Sequence, residues 1–138
     1  EIAFMMFADR FRRRTGPWRM LILAAVLTVV RWGVMAFGPP LWLLWPLQLL
    51  HIFSFAAVYM AGLELIYRLV PKGYEGLAQT VNAAYANGVM MGIGTMVSGV
   101  VFAAFGVRGY SLMAGLAGLG LLSASWLYLK RERFLAPV

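Results

Sequence analysis

Four apolar runs set what this chain can fold into. They cover residues 18–37, 41–67, 77–105 and 109–129, with no strand pattern between them. A helix that spans a bilayer needs about 20 mostly apolar residues at a rise of about 1.5 Å each, and each run meets that length. Composition agrees: 62% of the residues are hydrophobic, 12% are charged, and the mean hydropathy is +0.79. An ordinary soluble domain is about 45–50% apolar and about 25% charged. This chain has too few charges to coat a water-facing surface. That excludes a soluble enzyme, a disordered tail and a disulfide scaffold. The expected class is all-α and integral to the membrane, with four transmembrane helices.

The breaks between runs have local causes. Gly38-Pro39-Pro40 makes a tight hairpin, because proline cannot continue a helix and glycine frees the turn. Val70-Pro71-Lys72-Gly73 stops the second run by the same logic, and Gly106-Val107-Arg108-Gly109 separates the third from the fourth. The division expected is residues 1–17 as the end of a preceding helix plus a basic loop, 18–129 as the four-helix segment, and 130–138 as a tail. Glu1 to Phe7 reads as the tail of an apolar segment with no basic stretch before it. The chain therefore reads as a piece of something longer.

The charge balance is +7, from twelve Lys and Arg against five Asp and Glu. In a soluble protein this would suggest nucleic acid; in a membrane protein, position matters more than number. Arg10, Arg12, Arg13, Arg14 and Arg19 precede the first span. Arg68 and Lys72 lie between the second and third, and Lys130, Arg131 and Arg133 follow the fourth. Ten basic residues thus fall on one side and only Arg108 on the other. By the positive-inside rule the first span starts in the cytoplasm and the C-terminus returns there. Nucleic acid is not an expected partner. The expected setting is the inner (plasma) membrane and its lipid.

Arg31 is the cation left inside a span, about thirteen residues from its basic end. A charged side chain there costs roughly 2.5–3.5 kcal/mol on insertion scales, which marks it as a functional candidate. Snorkelling of its long stem to the outer interface is the alternative. On the second span Gln48 and His51 are three residues apart and share a face, continued by Phe55, Tyr59 and Gly62. Gln48 lies level with Arg31, and His51 lies one turn deeper. His51 suits a proton relay; the plainer reading is a neutral imidazole bonding two helices. Glu64 lies about 160° round from Gln48, and an ion pair with Arg68 one turn on is its expected role. The third span opens with Gln79, Asn82 and Tyr85 on one face, with Asn87 to the side. Gly88, Gly92, Thr95 and Gly99 form a small-residue stripe expected to pack the third span against the fourth, which carries Ala114, Gly115, Gly118, Gly120 and Ser125. Aromatic and methionine residues are expected to face lipid or pack. The chain has no cysteine and a single histidine, so neither a metal centre nor a cofactor is expected. No paired carboxylates, nucleophile triad or phosphate loop is present, and the chain is not expected to be an enzyme. What remains is a polar track through three spans, the pattern of a solute or ion pathway.

Taken together, these pieces resemble the last four helices of a twelve-helix major facilitator superfamily transporter, over nearly the whole chain. The loop Ala8-Asp9-Arg10-Phe11-Arg12-Arg13-Arg14 looks like the second-half copy of that superfamily's cytoplasmic motif. Asp9, Arg10, Arg13 and Arg14 match it, while Met5 and Arg12 replace its two glycines. The resemblance implies that these four residues belong to a cytoplasmic gate. Val30-Arg31-Trp32-Gly33 followed by Leu47-Gln48-Leu49-Leu50-His51 looks like the phenylpropionate permease branch, related to nucleoside–proton symporters and lactose permease. In the lactose permease pattern the second of these helices carries a Lys-x-x-His-x-x-Glu face. Here Arg31 and His51 match, Gln48 replaces the lysine and Ser54 the glutamate. That loss argues against a galactoside substrate.

The resemblance implies the C-terminal part of a secondary active transporter that imports a small organic solute (an aromatic acid, nucleoside or sugar) with protons. Arg31, Gln48, His51, Asn82 and Tyr85 would line the substrate and proton pathway. The missing N-terminal helices of the same transporter would complete it. Two alternatives stand beside this: a small four-helix binding or assembly subunit, and a proton-driven drug exporter of the same fold.

Overall fold

The computed structural model describes residues 15–132. Helix α1 runs Pro17–Ala36, α2 Leu41–Leu69 and α3 Glu75–Ala83. A π-helical segment, Ala84–Met90, joins α3 to α4, Met91–Phe105. A 3-10 turn, Gly106–Gly109, leads into α5, Tyr110–Leu129. There is no strand among the described residues, and the class is all-α. Three stretches are long and apolar enough to cross a membrane: Pro17–Ala36, Leu41–Leu69 and Glu75–Leu129. The last has 55 residues. At about 1.5 Å per residue it is more than twice the roughly 30 Å hydrocarbon core, and it turns back at Gly106.

The element ends follow from the residues there. Pro17 opens α1, where its missing N–H costs nothing. Gly38 takes φ +64° and Gly106 φ +56°, a backbone region that glycine alone enters freely, and both chain reversals begin there. Val70 is extended ahead of Pro71 and ends α2. Pro46 lies inside α2 and leaves the carbonyl one turn earlier without its helical donor, so the hairpin end of α2 is its weakest part.

Helix α1 is the hub, packed along both α2 and α5. Its buried residues are Pro17, Met20 and Ala24. The buried residues of α2 are Leu47, Ser54 and Ala61, spaced seven apart, so they form one stripe with a drift of only about 20° per heptad. Ala124 is the buried residue of α5. Ala24, Ser54, Ala61 and Ala124 are small, as expected where backbones must approach without a hydrophobic driving force, and Met20 and Leu47 are buried with them. The large apolar side chains point outward instead: Trp42 is 70% exposed and Leu122 68%.

Helices α1 and α5 run antiparallel. Trp32 near the end of α1 stacks on Tyr110 at the start of α5, and the two helices pack along one another. The short hairpin makes α2 antiparallel to α1 as well. Arg19, Arg68, Lys72, Lys130 and Arg131 therefore gather at one end of the molecule and Arg108 lies at the other.

The third span departs from expectation. It begins at Glu75 rather than 77, and its middle is π-helical rather than a uniform α-helix. It does not pack along the fourth through its glycine stripe. Residues 79–97 are exposed throughout, and a Cβ on Gly88, Gly92 or Gly99 would meet open space. The reason lies in the turn. Helices α4 and α5 meet closely only there, where Gly109 sits against Val101; beyond it α5 is held by α1 and the two diverge.

Candidate functional site

Arg31 lies eleven residues after Met20. Eleven residues at about 100° each bring it back to within about 20° of Met20, on the packing face of α1 rather than the lipid face. Its guanidinium carbon stands 4.1 Å from the centre of the Trp32 ring. Its Nε is buried and has no hydrogen-bond partner among the described residues. A buried donor of this kind carries a desolvation cost of about 1–3 kcal/mol, more when charged, until a partner is supplied. Trp32 in turn stacks on Tyr110, with centroids 5.4 Å apart, and Phe102 tilts against Tyr110 at 6.2 Å.

Helices α1 and α2 pack along one another, with Arg31 and His51 both in the half toward the hairpin. The His51 ring tilts against Phe55 at 6.1 Å. Ser54 Oγ donates to the His51 carbonyl at 3.0 Å. Gln48 and His51 are exposed while Ser54 is buried. The residue that stands where a carboxylate would sit therefore faces α1 and bonds its own helix. Glu64 accepts from Arg68 Nε at 2.9 Å and Nη2 at 2.8 Å, which is the ion pair expected of it.

A cavity of about 670 Å³ opens between α1, α2 and the α3–π stretch. Phe55, Tyr59 and Gly62 come from α2; Gln79, Thr80, Asn82 and Asn87 face them, with Leu21 from α1. The aromatic face of α2 and the carboxamides of the third span thus converge. Tyr85 lies apart from this group. It shares a groove of about 520 Å³ with Ile66, Val70, Tyr74 and Leu77, and Asn82 lies at the junction of the two. The pathway residues therefore form two groups: Arg31 with His51 and Gln48 toward the hairpin end, and Asn82 in the cavity nearer the basic end. Asp9, Arg10, Arg13 and Arg14 lie outside the described residues.

Several lining residues were not singled out as site residues on the sequence. Gln79, Asn87 and Tyr59 were visible as polar-face positions. Thr80 carried no signal, since a threonine can bond its own helix, as its Oγ1 does here to the Gly76 carbonyl. A further cavity of about 750 Å³, lined by Trp32, Tyr110, Phe102, Thr95 and Ser98, lies at the hairpin end. It was hidden among aromatics expected to meet lipid.

Comparison with known proteins identifies the setting. The family described as "MFS_1 like family" matches residues 1–113. A maltose permease of Geobacillus stearothermophilus is 29% identical over 133 residues, covering 96% of this chain and 34% of that protein. An uncharacterized transporter of Bacillus subtilis (strain 168), YwbF, is 27% identical over 124 residues, covering 88% of this chain and 31% of that protein. A protein named "Probable 3-phenylpropionic acid transporter" from Escherichia coli (strain K12) is 29% identical over 115 residues, with 83% and 30% covered. No solved structure matches. The chain spans about a third of the length of these relatives, which are transporters and not enzymes. With its apolar helices and a family match over most of its length, this chain belongs to the MFS_1 like family of membrane transport proteins.

Proposed function

We propose that this chain is the C-terminal third of a secondary active transporter that moves a small organic solute together with protons. One observation supports this above the rest: Arg31 lies on the packing face of an apolar helix, with a buried Nε that has no partner among the described residues. A guanidinium held this way calls for an anion, either a substrate carboxylate or an acidic side chain from the helices that precede this stretch. His51 relays the proton, and Gln48 orients the solute beside it. Asn82 hydrogen-bonds the solute from the third span, with Tyr85 flanking the path. Asp9, Arg10, Arg13 and Arg14 serve the cytoplasmic gate, and the C-terminus is cytoplasmic in the inner membrane. Rocking of the two halves gives alternating access.

Two solute classes compete, and each has an observation in its favour. The cavity beside α2 offers uncharged carboxamides and a hydroxyl (Gln79, Thr80, Asn82, Asn87) next to the rings of Phe55 and Tyr59, which suits a hydroxyl-rich solute such as a sugar. Arg31 suits a carboxylate such as an aromatic acid. The names of two relatives point the same two ways.

The test is uptake of labelled maltose and of 3-phenylpropionate by the full-length transporter in proteoliposomes, with and without an imposed proton gradient. Uptake that rises with an inward proton gradient supports import; solute extrusion under that gradient favours the drug-exporter reading. Arg31→Ala is expected to abolish uptake at unchanged protein level. Normal uptake by that variant would remove Arg31 from the mechanism.

A further inference from the structure

The cavity beside α2 has walls that discriminate between the two solute classes. Its volume of about 670 Å³ falls within the range of about 300–1,000 Å³ in which small molecules bind. Its polar wall comes from the third span: Gln79, Thr80, Asn82 and Asn87. Its aromatic wall comes from α2: the rings of Phe55 and Tyr59, both more than half exposed. Among the described residues no charged side chain lines it. Arg31 is not in the wall. It follows Leu21, the α1 residue that is, by ten positions, about 15 Å along the axis.

Hydrogen-bonding capacity separates the classes. A carboxamide offers a carbonyl oxygen that accepts and an NH2 group that donates. Among the described residues no hydrogen bond engages the side chains of Gln79, Asn82 or Asn87, so both halves of each remain to be met. Thr80 is more selective. Its hydroxyl donates to the Gly76 carbonyl at 2.9 Å, so toward any further partner its oxygen only accepts. A carboxylate also only accepts. In this cavity it would face the amide oxygens and the Thr80 oxygen with no proton to give them, and its charge would find no cation. An ionised group without a paired charge costs far more to bury than a hydrogen-bonded hydroxyl. A hydroxyl both donates and accepts, and so suits all four polar side chains. The faces of Phe55 and Tyr59 carry the negative side of the ring quadrupole, which attracts the C–H groups on the flat side of a pyranose.

We propose that Gln79, Thr80, Asn82 and Asn87, opposite Phe55 and Tyr59, bind a neutral, hydroxyl-rich solute built on a pyranose ring. Gln79, Thr80 and Asn87 then determine specificity beside Asn82, and the anion that answers Arg31 is a side chain rather than the solute. This rests on the transport reading and names the substrate class within it.

The test uses the full-length transporter, freed of any cysteine in its other helices. Maltose and glucose are the neutral probes and 3-phenylpropionate the anionic one. Ala86 lines the same cavity. Ala86→Cys should react with a small polar maleimide, and the sugars should slow that reaction while 3-phenylpropionate does not. Asn82→Leu and Asn87→Leu keep the side-chain size and remove the amide. Each should raise the sugar concentration for half-maximal uptake about tenfold. Thr80→Val, which removes the hydroxyl alone, should raise it about threefold. An unchanged protein level and unchanged uptake at saturating sugar separate weaker binding from loss of fold. An unreactive Ala86→Cys would mean that other helices fill the cavity, and overturns the proposal. So does a reaction that neither sugar slows, or one that 3-phenylpropionate alone slows. Proton-driven uptake of 3-phenylpropionate that is indifferent to all three cavity variants overturns it too, but leaves the transport reading standing. Absence of proton-driven flux of every probe removes both.

Discussion

Arg31 shows how a single side chain can be read at two depths. Its cost in an apolar helix is a matter of sequence; its face on the helix is a matter of register. The eleven-residue return to Met20 puts it in the seam between helices. Its value lies in planar geometry as well as charge, because it lies against Trp32 and presents a fork of donors. Arg31→Lys keeps the charge but loses the ring contact and the fork. Transport is therefore expected to fall by at least about tenfold with normal membrane insertion, measured as initial uptake rate against protein level. A lysine variant that transports normally would mean that charge alone suffices. Gly109 makes a second residue-scale case. A Cβ there would lie 2.8 Å from Val101 Cγ1, so Gly109→Ala should destabilise the turn by about 1–3 kcal/mol. Adding Val101→Ala should restore much of that loss in a thermal-unfolding assay. No rescue would show that the clash is not the cause. Of the site residues, Arg31 and His51 were legible because charge and imidazole are rare in apolar helices. Thr80 was not, because a threonine can satisfy itself against its own helix, and here it does, with Oγ1 bonding the Gly76 carbonyl at 2.9 Å.

Among the elements, the π segment Ala84–Met90 matters most. It interrupts the hydrogen-bond ladder of the third span between its cavity-lining part and α4. π geometry is rare and is often found at functional sites. Its residues include Asn87 and Gly88, both poor helix formers, and no neighbour packs on Gly88. The segment is thus the place where the third span bends most easily. Amide exchange at 84–90 is expected to be faster than in the flanking α3 and α4. Gly88→Ala, worth about 1 kcal/mol in helix propensity, should slow it. Equal protection along 75–105 would count against a weak point here. Helix ends were readable from glycine and proline, since those residues act locally. The π register was not, because it depends on the balance of ladder bonds over several turns, and no single residue type signals it.

At the scale of the whole molecule, α1 joins α2 and α5, while the third span stands beside α2 with most of its surface open. The basic residues of three separate segments meet at one end. This arrangement makes a topological prediction, and a chain without cysteine makes it easy to test. Single cysteines at Lys72 and Lys130 should react with a membrane-impermeant maleimide from one side of the membrane. A cysteine at Arg108 should react only from the other. Labelling of all three from the same side would break the antiparallel arrangement.

What the sequence determined by itself was the class of structure and the places where the chain turns. Length, hydropathy, proline and glycine act within one segment, and a bilayer leaves a segment of that length little choice but helix. The family resemblance also rested on local spacing, Arg31 to His51 above all. Only the tertiary structure decided which faces meet. Sequence spacing suggested that the glycine stripe would draw the third and fourth spans together, but α5 packs on α1. It also decided that Asn82 joins Tyr59 while Tyr85 turns to another groove. Contacts between helices in a membrane depend on close fit between backbones far apart in the chain. A small-residue stripe offers such a fit to any partner without naming one.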